Sequence, residues 1–344
     1  MKRRSFLSIL GMSLPSSYLS LPSSSLGQII KPPGLKSGDT VVLVNPAGAT
    51  FSRFDAEVAS EHLQNLGLKV RKGKHLFDRR GYLAGSDIDR ADDINTQFAD
   101  KNVAGLIALR GGWGCARILD FLDYDSIRLN PKVLLGFSDI TALHMAIHSK
   151  TGLVTFHGPV GSSKWTSFTT ENVQRVLFEG QSSVFSNPVS GVGHEDSTHN
   201  RFHTIRVGKA TGRLLGGNLT VLAAIMGSNY LPNWDGAILF LEDVGEEIYR
   251  IDRMLTQLSL AGVLDRISGF VFGQCTDCSP GIGYGSLTLD EVLGDHLLPL
   301  EIPAWRGAMI GHIDDQFTIP QGIPVEIDAE SGTITMLEAA VRMH

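Results

Sequence analysis

Residues 132–150 read KVLLGFSDITALHMAIHSK. Val133-Leu134-Leu135 is an apolar run of strand length, Gly136-Phe137-Ser138-Asp139 breaks it, and a stretch of helical character continues to about Lys150. A buried strand, a tight turn and a helix make up half of a βαβ unit. The same pattern recurs upstream. DTVVLVNPAGAT (39–50) is apolar and β-branched and ends on Asn45-Pro46-Ala47-Gly48, and RFDAEVASEHLQNLGLKV (53–70) follows with helical periodicity and Gly67 as a C-terminal stop. VAGLIALRGGWG (103–114) is a second buried strand ending in glycines, and CARILDFLD (115–123) reads as helix. Between them Ser86 is placed to cap a helix with a polar face, and LVTFHGPV (153–160) is one further short strand. Strands alternating with helices predict a parallel sheet covered on both faces, with chemistry at the carboxyl ends of its strands.

Beyond this unit the composition changes. Residues 166–206 are polar with weak periodicity and read as a connector, with a helix near Thr170–Glu179. From Gly208 the chain reads as a second α/β unit. GKATGRLLGGNLTVLAAIMGS (208–228) suggests a strand, a glycine turn and a helix, and GAILFLEDVGE (236–246) is a strong buried strand. EIYRIDRMLTQLSLAGVL (247–264) is an amphipathic helix, and ISGFVFGQC (267–275) is strand again. GIPVEIDAESGTITMLE (322–338) is a hairpin turning at Glu330-Ser331-Gly332. The expected organisation is a first domain over 36–165, the connector, and a second domain over 207–340.

A length of 344 residues with 42% hydrophobic content suits two such domains, and 38 glycines suit many tight βα turns. A net charge of −6 argues against a broad nucleic-acid-binding surface. No run of about 18 apolar residues lies in the body, so no stable membrane anchor is expected there. The first 27 residues differ. Lys2-Arg3-Arg4 precedes an apolar stretch from Phe6 to Leu14 and a serine-rich tail, the pattern of a signal peptide, and Arg3-Arg4-Ser5-Phe6-Leu7 looks like a twin-arginine signal. Export, and a periplasmic location, is the expectation.

Three groups carry candidate chemistry. Ser138 sits between strand and helix, where it serves either as a helix cap or as a nucleophile beside the helix N-terminal N–H groups. Gly136 fits the strand–turn–helix elbow G-x-S-x-G, but Ile140 occupies its last glycine position. A serine nucleophile needs a base and the base an orienter. His312, in MIGHIDDQFTIPQG (309–322), and Glu242, at the end of a buried-looking strand, supply these in the order Ser…Glu…His; an edge salt bridge is the plainer use of Glu242. Gly111-Gly112-Trp113-Gly114 suits either an oxyanion donor or a phosphate-cradling turn, though no G-x-G-x-x-G spacing is present. Cys275 and Cys278 form C-x-x-C, open to a disulfide, a redox pair or half a metal site. No further ligand pair completes a zinc site, so a structural role is preferred.

Taken in order, LIALRGGWGCARILDFLDYD, LLGFSDITALH, TFHGP, LLGGNLTVL, LEDVGEEIYRIDRML and GHIDDQ…IPQG resemble the LD-carboxypeptidases (muramoyltetrapeptide carboxypeptidases), serine peptidases that remove the terminal D-alanine of murein tetrapeptides. The resemblance runs from about Lys36 to Leu337. It implies a flavodoxin-like N-terminal domain with a parallel sheet, a β-rich α/β C-terminal domain, and often a homodimer. It implies a triad of Ser138, His312 and Glu242, backbone oxyanion donors at Gly112 and Asp139, a murein peptide substrate, and neither metal nor cofactor. Trp113 stands where the family often has tyrosine, and Ile313 where many members have glycine. Trp113, Asn218 and Arg250 are the expected substrate contacts, with His157 a further candidate. Arg110, Arg250 and Arg253 are the cations available for a terminal carboxylate. Two other readings accompany this one: a microcin-immunity-type peptidase acting on peptidyl or acyl nucleotides, and a non-catalytic periplasmic binding protein.

Overall fold

The computed structural model describes residues 29–188, 200–281 and 285–343. The signal-like segment 1–27 lies outside them. The first unit begins with β1 (Thr40–Val44), α1 (Arg53–Asn65), β2 (Lys69–Lys72), α2 (Asp87–Ala99), β3 (Gly105–Ala108), α3 (Tyr124–Leu129), β4 (Val133–Gly136), α4 (Thr141–Thr151) and β5 (Phe156–His157). These strands are parallel in the order β2-β1-β3-β4-β5, the doubly wound order of flavodoxin. Alternate residues of β1 serve different cores: Val42 and Val44 pack on one face of the sheet, Val41 and Leu43 on the other. That double burial explains the uninterrupted apolar runs. Ser86 caps α2, its Oγ accepting from Asp89 N at 3.1 Å, and Gly67 follows α1 at φ +81°. The segment 115–121, read as regular helix, is a 3-10 turn that ends before α3.

The segment 166–206 contains α5 (Ser167–Val173), continued by a wide turn over 174–178, and two strands, β6 (Val184–Ser186) and β7 (His203–Arg206). β8 (Lys209–Asn218), α6 (Leu219–Ala224), β9 (Ile238–Val244), α7 (Ile248–Leu260), β10 (Gly269–Thr276), α8 (Leu289–Leu297) and β11 (Ala304–Arg306) follow. β12 (Ile319–Pro320), β13 (Pro324–Asp328) and β14 (Thr333–Met336) complete the chain. An eight-stranded mixed sheet runs β6-β14-β13-β8-β9-β10-β11-β7, so β6 and β7 are its edges. β13 and β14 form the expected hairpin.

Gly216 and Gly217 are strand residues, not a turn. At Gly216 a Cβ would stand 1.7 Å from Phe240 O, and at Gly217 2.4 Å from Thr141 Oγ1. Two close approaches, to β9 and to α4, require glycine there. β12 leaves the second unit and pairs antiparallel with β5, adding a sixth strand to the first sheet. Both hydrophobic cores run across the two sheets. One joins Leu134 and Ile147 to Leu215, Leu239 and Phe272; the other joins Leu135 and Phe156 to Phe240, Val271 and Trp305. No helix among the described residues is long and apolar enough to cross a membrane.

Candidate active site

β4 ends at Gly136, and the chain turns sharply to reach α4. A Cβ at Gly136 would meet Ala108 Cβ and Ile140 Cγ1, each at 3.0 Å, so the turn packs too closely for a side chain there. Ser138 lies at the apex with φ +64°, one of four non-glycine residues among those described with positive φ. Such backbone is strained for an L-residue and persists where its surroundings fix it. Gly111 supplies part of that fixing: a Cβ on it would lie 2.9 Å from Ser138 Cβ and 3.1 Å from its Oγ.

The cap reading of Ser138 does not hold. Phe137 occupies the cap position of the 3-10 turn 138–140 that leads into α4, and neither this turn nor α4 has a side-chain cap. Ser138 Oγ instead lies 3.0 Å from His312 Nε2, and His312 Nδ1 lies 2.8 Å from Glu242 Oε2. The carboxylate can only accept, so Nδ1 carries the proton. Nε2 is then the acceptor, and Ser138 Oγ–H donates to it.

Glu242 is fully buried near the end of β9, and its Oε1 has no hydrogen-bond partner among the described residues. Gly311, at φ +119°, lets the histidine loop approach it, because a Cβ would sit 2.8 Å from Oε2. Thr276 Oγ1 donates to His312 O at 2.9 Å, and Phe137 packs edge-on against the imidazole at 4.8 Å. Thr276 lies between Cys275 and Cys278, which are joined as a disulfide. The C-x-x-C therefore braces the loop behind His312. Cys115 is a free, buried thiol, and burial pushes its pKa up.

A cavity of about 590 Å³ opens on Ser138 and His312, with Arg110, Gly111, Gly112 and Lys164 on its walls. Gly112, at φ +117°, packs so closely on Gly48 that a Cβ would lie 3.1 Å from Gly48 Cα, and Gly48 N–H donates to Gly111 O at 3.2 Å. Asp139 N–H stands in the first turn of a helical segment, where no preceding carbonyl can take it. The Asp139 side chain has a use that the sequence did not suggest. Its Oδ2 accepts from Cys115 N at 2.7 Å and so ties the end of the glycine loop to the serine turn. Burial raises the Asp139 pKa, and the Cys115 N–H opposes that shift.

Other expected contacts are not on the cavity walls. Asn218 is buried: its Oδ1 caps α6 by accepting from Val221 N at 3.0 Å, and its Nδ2 donates to Asp243 at 3.2 Å. Asp243, its neighbour, is pushed up to about 6 by burial. Arg250 and Arg253 stand on α7 over the Tyr249 ring, outside the cavity walls. Trp113 is exposed, edge-on to Tyr82 at 5.6 Å, and does not line the cavity. His157 is buried between Phe137 and Phe240, with neither ring nitrogen hydrogen-bonded among the described residues. Desolvation there drives its pKa well down. His75, Asp78 and Asp89 bring possible metal-ligand atoms within 4.8 Å of one another, but away from the cavity walls, and His75 Nδ1 already pairs with Asp78 at 2.6 Å.

Comparison with known proteins agrees with this architecture. Residues 41–158 match the family model described as the LD-carboxypeptidase N-terminal domain, and residues 211–327 match the LD-carboxypeptidase C-terminal domain. The chain is 37% identical over 311 residues to a probable murein peptide carboxypeptidase of Bacillus subtilis, covering 90% of this chain and 95% of that one. It is 33% identical over 276 residues to the murein tetrapeptide carboxypeptidase of Pseudomonas aeruginosa, covering 79% and 87%. Among solved structures, the microcin C7 self-immunity protein in complex with aspartyl sulfamoyl adenosine superposes with a TM-score of 0.82 at 27% identity, covering 91% of this chain and all (100%) of that one.

Proposed function

The chain belongs to the LD-carboxypeptidase family, and on that premise we propose that it is a serine carboxypeptidase hydrolysing the L,D-peptide bond to the terminal D-alanine of murein tetrapeptides. The observation that carries the reading is the unbroken hydrogen-bonded line from Ser138 through His312 to buried Glu242, with Ser138 and His312 on the cavity wall. His312 Nε2 takes the proton from Ser138 Oγ as Oγ bonds to the scissile carbonyl carbon. The carbonyl oxygen becomes an oxyanion, held by the N–H groups of Gly112 and Asp139. Glu242 holds the imidazolium that forms and keeps Nδ1 protonated. The intermediate collapses, the C–N bond breaks, and His312 gives its proton to the departing amino group. Water, deprotonated by His312, then bonds to the acyl carbon, the C–Oγ bond breaks, and His312 returns the proton to Ser138 Oγ. Every proton moves between Ser138, His312, substrate and water.

The twin-arginine-like start at Arg3-Arg4 supports a place outside the inner membrane, where an enzyme of this kind meets wall peptides. The Cys275–Cys278 disulfide suits such an oxidising compartment.

The structural likeness to the microcin C7 self-immunity protein favours a second reading, cleavage of an acyl sulfamoyl nucleoside. Offering the purified enzyme both substrates separates the two. Murein tetrapeptide should yield tripeptide and free D-alanine, and Ser138→Ala should lower that rate by about 10⁴-fold or more. No D-alanine from the wild type, or undiminished release by the variant, sinks the reading.

A further inference from the structure

An enzyme that removes one terminal residue must recognise the free carboxylate just beyond the scissile bond. Successive Cα atoms are about 3.8 Å apart, so the recognising group has to lie within one residue's reach of the nucleophile. Two basic side chains, Arg110 and Lys164, line the cavity around Ser138. Lys164 Nζ is already paired with Asp314 at 2.6 Å. Arg110 differs. Its Nη1 donates to Ala49 O at 3.0 Å, and it forms no ion pair among the described residues, although Asp55 lies on the same cavity wall. Its guanidinium lies against the oxyanion loop: Nη2 would be 4.0 Å from a Cβ on Gly112, and Nε 3.7 Å from one on Gly48. The adjoining Gly111 abuts Ser138. Arg110 follows β3 and Ala49 follows β1, so their hydrogen bond spans the crevice where the strand order reverses, the usual ligand position in such sheets.

Resting on the activity proposed above, we propose that Arg110 is the specificity residue that binds the free C-terminal carboxylate of the substrate. A guanidinium presents two parallel N–H donors to the two carboxylate oxygens, and a carboxamide cannot accept from both in the same way. Ala49 O holds one end of the fork and leaves the remaining donors for the ligand. The subsite sits beside the oxyanion loop, so it takes the residue that leaves and rejects a chain that continues past it.

The test compares a murein tetrapeptide ending in a free D-alanine carboxylate with its C-terminal amide. The wild type should prefer the acid by about 100-fold or more in kcat/KM. Arg110→Gln should bring the acid-to-amide ratio close to one, mostly through KM, and Arg110→Lys should restore part of it. Lys164→Met should keep the wild-type ratio. An unchanged ratio in Arg110→Gln overturns the proposal, as does a ratio that collapses only in Lys164→Met. If Arg110→Gln turns over neither peptide, calorimetry decides. Ser138→Ala should bind the acid about 100-fold more tightly than Ser138→Ala/Arg110→Gln does, and equal affinities refute the assignment. Release of neither D-alanine from the acid nor D-alaninamide from the amide by the wild type is a separate result that removes the activity itself.

Discussion

At the scale of single residues, the site depends on glycines as much as on its reactive groups. Ser138 holds a positive φ because Gly111 and Gly136 leave room for the turn, and His312 reaches Glu242 because Gly311 has no Cβ. Gly311 gives the sharpest test. Alanine there would meet Glu242 Oε2 at 2.8 Å and Glu242 Cβ at 2.9 Å, while taking on a φ of +119°. The Nδ1–Oε2 hydrogen bond should lengthen or break, and the imidazole would lose its orientation and tautomer. Gly311→Ala should therefore lower kcat by about 100-fold or more, with a stability cost of about 1–3 kcal/mol from backbone strain. Gly262→Ala is the control, because its φ is +69° with nothing within 4 Å of the added Cβ. It should show the strain cost and retain activity. Equal kcat values for the two variants would mean that Gly311 does not protect the Glu242–His312 contact.

At the scale of elements, α4 shows what periodicity can and cannot convey. Nearly all its side chains are buried, so it has no polar stripe, and its helical character came from composition and from the turn before it. Two of its buried groups, His144 and His148, are one helical turn apart. His144 Nε2 lies 2.8 Å from Gly136 O and so donates to it, while Nδ1 accepts from Thr155 Oγ1 at 2.9 Å. Thus α4 anchors the end of β4 just before the serine turn. Burial depresses both histidines to about 4, with a nearby Arg213 charge adding to the effect at His148. A depressed folded pKa means that the unfolded chain binds protons first. Stability from these groups is complete above about 6.5 and is lost as pH falls through 4, by at most about 3 kcal/mol each. Asp243, pushed up to about 6, has the opposite sign: its burial costs stability as pH rises through 6. A subtraction isolates the histidine. Urea unfolding at pH 7.5, 6 and 4.5 should show wild type losing stability relative to His148→Gln as pH falls. A constant gap would refute neutral burial of His148. The glycines of β8 were misread at this same scale, because Gly-Gly is a turn signal locally and only the approach of β9 and α4 makes it a strand.

At the scale of the whole molecule, the site exists only where two sheets meet. Ser138 comes from the first, while Glu242 and the loop bearing His312 come from the second. The βα repeats that set the first sheet's order were legible because each is local. The return of two-residue β12 to pair with β5 was not, because a pairing between residues about 160 apart leaves no periodic trace. Nor were β6 and β7 legible as strands: they are short sheet edges inside a polar segment, and most of their residues are exposed or half-buried. Gln321 sits at this junction, fully buried beside β12. Its Nε2 donates to Gly216 O at 2.6 Å, its Oε1 accepts from Gly216 N at 3.1 Å, and its own N–H donates to Thr155 O at 2.8 Å. The side chain thereby serves both backbone groups of a glycine that no larger residue can replace. Gln321→Ala would leave that N–H and C=O unpaired in the interior, at a cost of about 2–4 kcal/mol. Because both cores are continuous across the sheets, the destabilised protein should still unfold in one step. Trp234 and Trp305 are buried in the second unit and Trp113 and Trp165 lie in the first, so fluorescence follows both units, while loss of activity follows the junction. The two urea midpoints should coincide in the wild type and move down together in Gln321→Ala. Activity lost at lower urea than fluorescence would show instead that the halves separate first and that the shared cores do not couple them.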